Sequence, residues 1–187
     1  MVLLTMGLIA VALLQVLCLL ALVDQYKGLL QIRTSLKLVD TPYDLGLAVD
    51  EAPRPSAVGL PADFDTEDIV IVIVFSTKCA SCVTVAQGMR GRVPGPAWAL
   101  IAAGSEEQCR EFQRSAALPS DRVLIDVGGL IASGLNVRTF PSAVVFSKGE
   151  LKTAMTIPSH RQLRNLIEDS VAQFAVTNRS GGHANGN

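Results

Sequence analysis

The sequence is poor in charged residues, and neither sign of charge is in excess. Charged residues make up 18% of the 187 positions, with 16 Lys and Arg against 17 Asp and Glu. Within residues 66–175 the balance is 11 basic to 10 acidic residues. A surface of that composition has no excess positive charge with which to neutralise phosphates. We therefore expect no nucleic-acid partner.

Cysteine and histidine are also scarce, with four and two copies respectively. Four cysteines are too few for a disulfide-stapled miniprotein, and one of them lies in an N-terminal apolar segment. A zinc site built on Cys79 and Cys82 would need two further ligands. The remaining candidates, Cys109, His160 and His183, are isolated along the chain. This distribution argues against a metal site, and we expect none.

The most apolar part of the chain is its N-terminus. Residues 2–23 are 22 uncharged positions. As a helix they would extend about 33 Å, which is enough to cross the hydrocarbon core of a bilayer. A cleavable signal peptide has a shorter apolar stretch followed by small residues, and neither feature is present. We therefore predict an uncleaved transmembrane anchor over residues 1–24.

Segment 25–65 has the composition of a connection rather than of a domain. Its first half mixes leucines with basic residues, which is compatible with a helix in the membrane interface or an extension of the spanning helix. Residues 40–65 contain four prolines and seven charged residues, a composition that favours a stiff spacer. Lys27, Arg33 and Lys37 follow the anchor, and by the positive-inside rule alone they would hold the rest of the chain in the cytoplasm.

Residues 66–176 are predicted to form one α/β domain. Its first strand, 69–75, is seven consecutive apolar residues of which six are β-branched. A continuous apolar run is typical of a strand buried on both faces of a sheet. Further strands are predicted at 97–103, 122–126, 142–146 and 151–157, the last two as a hairpin. Capping boxes at Ser105 and Ser159 predict helices after them. The polar tail 177–187 is predicted to be disordered.

The first strand leads directly into Cys79-Ala80-Ser81-Cys82, after which the sequence turns helical. A cysteine at the start of a helix lies among unpaired backbone N–H groups, which favours the thiolate form. Lys78 adds a neighbouring cation. Cys82 lies within one helical turn, near enough to attack a mixed disulfide formed on Cys79. Cys79 is therefore the candidate nucleophile. By contrast, Cys109 falls on an apolar helix face and is expected in the core.

Residues 69–89 and 136–152 together resemble the membrane-anchored, TlpA-like thiol-disulfide oxidoreductases, including the MauD-type proteins that assist maturation of methylamine dehydrogenase. The resemblance implies a thioredoxin fold, a mixed central sheet flanked by helices. It implies that Cys79 attacks and Cys82 resolves. It also implies that Pro141 is a cis-proline beside the pair and that the backbone of Phe140 pairs with an extended substrate.

The same resemblance implies what the domain would act on and where. The partners would be protein thiol or disulfide substrates and a membrane or soluble redox partner that recycles the pair, with no cofactor. The domain would face the extracytoplasmic side, where disulfides persist, against the count of basic residues after the anchor.

Two departures from thioredoxin limit what is carried over. Thioredoxins have a buried Asp six residues before the first cysteine, and this chain has Ile73 there. They also have Trp before that cysteine and Gly-Pro between the pair, where this chain has Lys78 and Ala80-Ser81. The dipeptide helps to set the reduction potential, so the reducing character of thioredoxin is not transferred.

Two other functions stay open. A thioredoxin-like domain that keeps the pair without turnover would be an interaction or assembly module tethered to a membrane complex, binding through a groove near Phe140 and Pro141. Copper delivery through the cysteine pair would require stoichiometric Cu(I) binding, but no supporting His or Met lies beside the pair in the sequence. Pro141 could also be an ordinary trans proline of an edge strand.

Overall fold

The computed structural model describes Gly7, residues 15–19, Ala21 and residues 42–47, 52–89 and 91–181. The chain divides into two compact units, Met1–Thr41 and Pro42–Asn187. In the first unit, Gly7, residues 15–19 and Ala21 are helical. Most of the anchor predicted over 1–24, and all of 25–41, lie outside the described residues. Within the ranges that are described, no helix is both long and apolar enough to cross a membrane.

The second unit is built on one mixed sheet. Its strands are β1 (Val70–Ser76), β2 (Ala97–Ala103), β3 (Val123–Val127), β4 (Ser142–Ser147) and β5 (Glu150–Thr156). Their order is β3-β2-β1-β4-β5. The first three strands are parallel, and β4 and β5 are antiparallel to their neighbours. This is a thioredoxin-like α/β fold, as the resemblance implied, and each strand lies within one residue of its predicted position.

The helices of this unit are α1 (Ala80–Gly88), α2 (Glu106–Ser115), α3 (Leu130–Gly134) and α4 (His160–Gly181). Both predicted caps are present, because Ser105 Oγ accepts a hydrogen bond from Gln108 N–H and Ser159 Oγ accepts one from Gln162 N–H, each at 3.4 Å. Helix α4 continues to Gly181, past the tail boundary predicted at 177. No residue of 177–181 is proline, and extending an existing helix costs little. Residues 182–187 lie outside the described part.

The apolar run of β1 is buried on both faces, as its composition predicted. Ile71, Ile73 and Phe75 are each 0% exposed and face α1, α2 and α4 in one core cluster. Val72 and Val74 are also 0% exposed and belong to a second cluster on the other face. A central strand of this kind therefore requires cover on two sides.

The spacer prediction for 40–65 is wrong over the described residues, because they cover the second face of the sheet. Two short 3-10 helices, Pro55–Val58 and Ala62–Asp65, bury Leu60 (4% exposed) and Phe64 (3% exposed) in the second cluster. The Phe64 ring lies 5.2 Å from that of Trp98. Prolines exclude a long α-helix but allow short 3-10 turns. The composition therefore excluded a helix without excluding packed structure.

Residues 42–47 also belong to this unit, since they pair with the outer edge of β5. Leu45 N–H donates to the carbonyl of Ala154 at 2.9 Å, and Thr156 N–H donates to the carbonyl of Tyr43 at 3.1 Å. At the opposite end of the hairpin, Lys148 and Gly149 have positive φ angles of 52° and 76°, which is the geometry of a tight two-residue turn. The predicted hairpin is confirmed.

Candidate active site

The site lies where β1 hands over to α1, at the edge where the parallel strands end. Cys79 is the N-cap residue of α1, with extended backbone at φ −109° and ψ 112°. Its Sγ accepts a hydrogen bond from Cys82 N–H at 3.3 Å. The sulfur therefore takes the place of the oxygen that usually caps a helix, at the positive end of the helix dipole. Cys79 is half-buried, so that an outside group can reach it.

Cys82 lies inside the same turn and has 0% of its surface exposed. Its Sγ accepts a hydrogen bond from Ser76 N–H at 3.4 Å. Burial raises the pKa of the Cys82 thiol far above that of free cysteine, and the hydrogen bond with the Cys79 side chain acts in the same direction. Both cysteines are free thiols. The pair thus combines one reachable sulfur with one that is buried and protonated at neutral pH.

Phe140 and Pro141, which the resemblance placed beside the pair, are indeed next to Cys79. The Cys79 thiol donates to the carbonyl oxygen of Phe140 at 3.4 Å. The Phe140–Pro141 peptide bond is cis, not trans. The carbonyl of Pro141 accepts a hydrogen bond from Ile157 N–H at 2.8 Å, and this bond ties the loop to the end of β5. All four predicted site residues therefore lie at one place.

Ser81 also belongs to the site, although sequence reasoning treated it only as a departure from Gly-Pro. Its Oγ lies 3.0 Å from Cys79 Sγ. The hydroxyl can donate to a sulfur that carries negative charge and can accept from a neutral thiol. The available signal was positional, since a serine in the first turn of a helix can reach back to the cap residue.

The position of Ile73 shows what the pair lacks. Ile73 is 0% exposed and shares the first core cluster with Cys82. Beyond burial, the pKa of Cys82 is shifted by the neighbouring Cys79 side chain and by the backbone of Ser76, and among the described residues no carboxylate or imidazole takes part. This chain therefore has an apolar side chain at the position where thioredoxins have their buried Asp.

Cys109 is part of the core, as predicted from its helix face. It is 0% exposed, and its thiol donates to the carbonyl of Ile101 at 3.2 Å. Burial raises the pKa of this thiol as well. His160 is exposed in the first turn of α4.

Comparison of the sequence with protein-family models and with curated proteins gives no match. Solved structures do match. A secreted Mycobacterium tuberculosis disulfide oxidoreductase homologous to E. coli DsbE matches with 14% identity over 67% of this chain and 92% of its own, with a TM-score of 0.42.

Two further solved structures share 18% identity with this chain. The exposed lipoprotein thioredoxin Etrx1 of Streptococcus pneumoniae covers 51% of this chain and 78% of its own, with a TM-score of 0.40. The N-terminal domain of PilB from Neisseria gonorrhoeae covers 52% and 74%, with a TM-score of 0.39.

Proposed function

We propose that this protein is a membrane-anchored thiol-disulfide oxidoreductase that exchanges disulfides with protein substrates through Cys79 and Cys82. One observation carries the proposal: a reachable sulfur caps a helix, and a second sulfur is buried within the same turn. A substrate protein can reach the Cys79 sulfur. The buried Cys82 sulfur can react only with a disulfide that already involves Cys79.

In the first step the thiolate of Cys79 attacks one sulfur of a substrate disulfide. A bond forms between Cys79 and that sulfur, and the other substrate sulfur leaves as a thiolate. The Cys82 N–H and the Ser81 hydroxyl are the donors within reach of the Cys79 sulfur. They hold the attacking sulfur in place at the start of α1.

In the second step Cys82 attacks the Cys79 sulfur and releases the remaining substrate sulfur. Cys82 loses its proton, the leaving sulfur gains one, and the pair ends as a disulfide after giving two electrons to the substrate. The reverse sequence oxidises a substrate dithiol. No cofactor takes part in either direction. A second dithiol or disulfide, a redox partner in the membrane or in solution, returns the pair to its starting state.

Membrane attachment and location complete the proposal. The apolar residues 2–23 support an anchor. The TlpA-like and MauD-type resemblance supports an extracytoplasmic domain that serves the maturation of an extracytoplasmic redox protein. Lys27, Arg33 and Lys37 favour the opposite orientation. A reporter fused after Asn187 decides between them. We expect it to be active only outside the cytoplasm, and activity confined to the cytoplasm would contradict this placement.

Trapping in cells tests the exchange reaction itself. Cys82→Ser removes the resolving sulfur, so the full-length variant should accumulate mixed disulfides with its substrates on non-reducing gels. Cys79→Ser is the matched control and should accumulate none. If Cys82→Ser traps no partner while Cys79→Ala supports normal function, the protein is instead a tethered interaction module and not an oxidoreductase.

A further inference from the structure

A groove opens beside the cysteine pair, and no step of the exchange reaction uses it. It is bounded by loop 76–78, residues 102–104, Gly128 with Gly129, and Phe140, and it has a volume of about 260 Å³. We call it the glycine groove. Resting on the function proposed above, we infer that the glycine groove receives an apolar side chain next to the substrate cysteine, with a carboxylate of the same substrate segment paired to Lys78.

The glycine groove is continuous with the reacting sulfur. Phe140, which lines it, accepts a hydrogen bond from the Cys79 thiol through its carbonyl at 3.4 Å. Ser76, which also lines the groove, donates its N–H to Cys82 Sγ at 3.4 Å. A substrate segment bonded to Cys79 can therefore reach this groove.

Size and lining favour a single side chain as the occupant. Pockets for small molecules usually enclose roughly 300–1,000 Å³, and this groove is below that range. Its lining includes two alanines, Ala102 and Ala103, each 8% exposed, and three glycines, Gly104, Gly128 and Gly129. Small residues of this kind let a substrate backbone approach closely, as glycines do at other close contacts.

The groove is held in shape before any substrate arrives. Gly128 N–H donates to the carbonyl of Ala103 at 2.7 Å. Asp126, only 2% exposed, accepts hydrogen bonds from Ile131 N–H at 3.0 Å and Ala132 N–H at 2.9 Å. These bonds fix the loop that carries Gly128 and Gly129. A preformed groove saves the cost of ordering a loop on binding.

Apolar surface continues beyond the groove onto Leu130. Its side chain is 75% exposed, and its Cγ would lie 3.9 Å from a Cβ placed on Gly128. The preceding strand end, Val127, is 45% exposed. Neighbouring exposed apolar side chains beside a reactive group favour contact with another chain. Leu130 is thus placed to cover a substrate side chain seated in the groove.

Charge selects the second feature of the substrate. Lys78 is exposed and is the one charged residue that lines the glycine groove. No ion pair within the described residues involves it. A second recess, between α1 and α2, is also lined by Lys78, but it contains Glu111 as well. The carboxylate of Glu111 offsets the charge of Lys78 there, so an acidic substrate segment is attracted more strongly to the groove than to that recess.

Disulfide-linked peptides test the inference with the full chain purified in detergent. Each peptide has one cysteine with the same residue on both sides, either Leu or Ser, so that the direction of binding does not matter. The next residue outward on both sides is Asp or Lys. Each peptide is named by these two residues, as in Leu/Asp. We expect the Leu/Asp peptide to react about tenfold faster than the Ser/Asp peptide, as burial of part of a leucine side chain implies. It should react about threefold faster than the Leu/Lys peptide, as for an exposed ion pair.

Two variants locate the effect, and the readout is the ratio of rates between peptides, which cancels any change in the reactivity of Cys79. Lys78→Glu should reverse the preference between Leu/Asp and Leu/Lys, whereas Arg92→Glu, at an exposed site elsewhere, should not. Leu130→Ser should reduce the preference for Leu over Ser, whereas Val171→Ser, 42% exposed on α4, should not.

The outcomes separate this inference from the proposed function. Equal rates with all peptides, unchanged by Lys78→Glu and Leu130→Ser, would overturn the assignment of the groove while disulfide exchange stands. Failure of every peptide to react would overturn both. A charge preference that persists in roughly 1 M salt, where the Debye length is about 3 Å, would also contradict the pairing with Lys78.

Discussion

The buried thiol of Cys82 should make the stability of the reduced protein fall at alkaline pH. Its side chain is 0% exposed, and burial raises its pKa above the value of about 8.5 for free cysteine. Above that pH the unfolded chain releases the proton, whereas the folded chain keeps it. The free energy of unfolding then falls by about 1.4 kcal/mol for each further pH unit, until the pH reaches the folded-state pKa of Cys82. The contribution of this group is fully present below about pH 8.5.

The assay is urea unfolding of the reduced protein at several pH values between 8 and 10. Between pH 8.5 and pH 10 the unfolding free energy of the wild-type protein should fall by about 2 kcal/mol more than that of Cys82→Ala. The two proteins differ only at position 82, so the difference between them isolates the Cys82 thiol. The thiol of Cys109 is also buried, and its pKa is also raised. Cys109→Ala should therefore remove a second part of the pH dependence of the unfolding free energy.

The oxidised wild-type protein is the internal control, because a disulfide between Cys79 and Cys82 has no proton to lose. Its unfolding free energy should not show the part of the pH dependence assigned to Cys82. Equal slopes for reduced wild type and Cys82→Ala would refute the argument. They would mean that water or a base reaches Cys82, and that the asymmetry between the two sulfurs does not exist.

Three further predictions test separate parts of the structure. Phe64→Ala should lower the unfolding free energy in urea titrations by about 3–5 kcal/mol, because the Phe64 side chain is buried, with 3% exposed. A decrease below about 1 kcal/mol would show that residues 52–65 are a spacer after all. Ser81→Ala should slow the reaction of Cys79 with a small disulfide about threefold, the effect of one hydrogen bond, while Ser133→Ala should not. Gly88→Ala should lower the melting temperature, because its Cβ would lie 2.8 Å from the Cβ of His160, and an unchanged melting temperature would contradict this contact.

The strands and the cysteine turn were predictable because their signals are local. Six β-branched residues in a row favour a strand, and the polar residues after Phe75 mark where it ends. Capping by Ser105 and Ser159 depends on side chains three residues apart, so it too is visible in the sequence. Placement of Phe140 beside Cys79 was accessible only through a family resemblance, because it joins positions far apart in the chain.

The cover on the second face of the sheet could not be predicted in the same way. Leu60 and Phe64 are isolated apolar residues among prolines and acids, without helical or alternating spacing. What places them is the unfilled face of the central strands, which is a property of the assembled sheet. The role of the Ser81 hydroxyl and the shape of the glycine groove likewise depend on distances between loops, which no local pattern determines.

The order in which the two sulfurs react tests the central claim most directly. Reduced full-length protein is mixed with one equivalent of oxidised glutathione, quenched with acid at successive times and mapped by peptide mass spectrometry. We expect glutathione to appear first on Cys79, and we expect this adduct to convert to the Cys79–Cys82 disulfide at a rate that increases with pH. Glutathione appearing first on Cys82, or an adduct on Cys79 that never converts, would contradict the central claim.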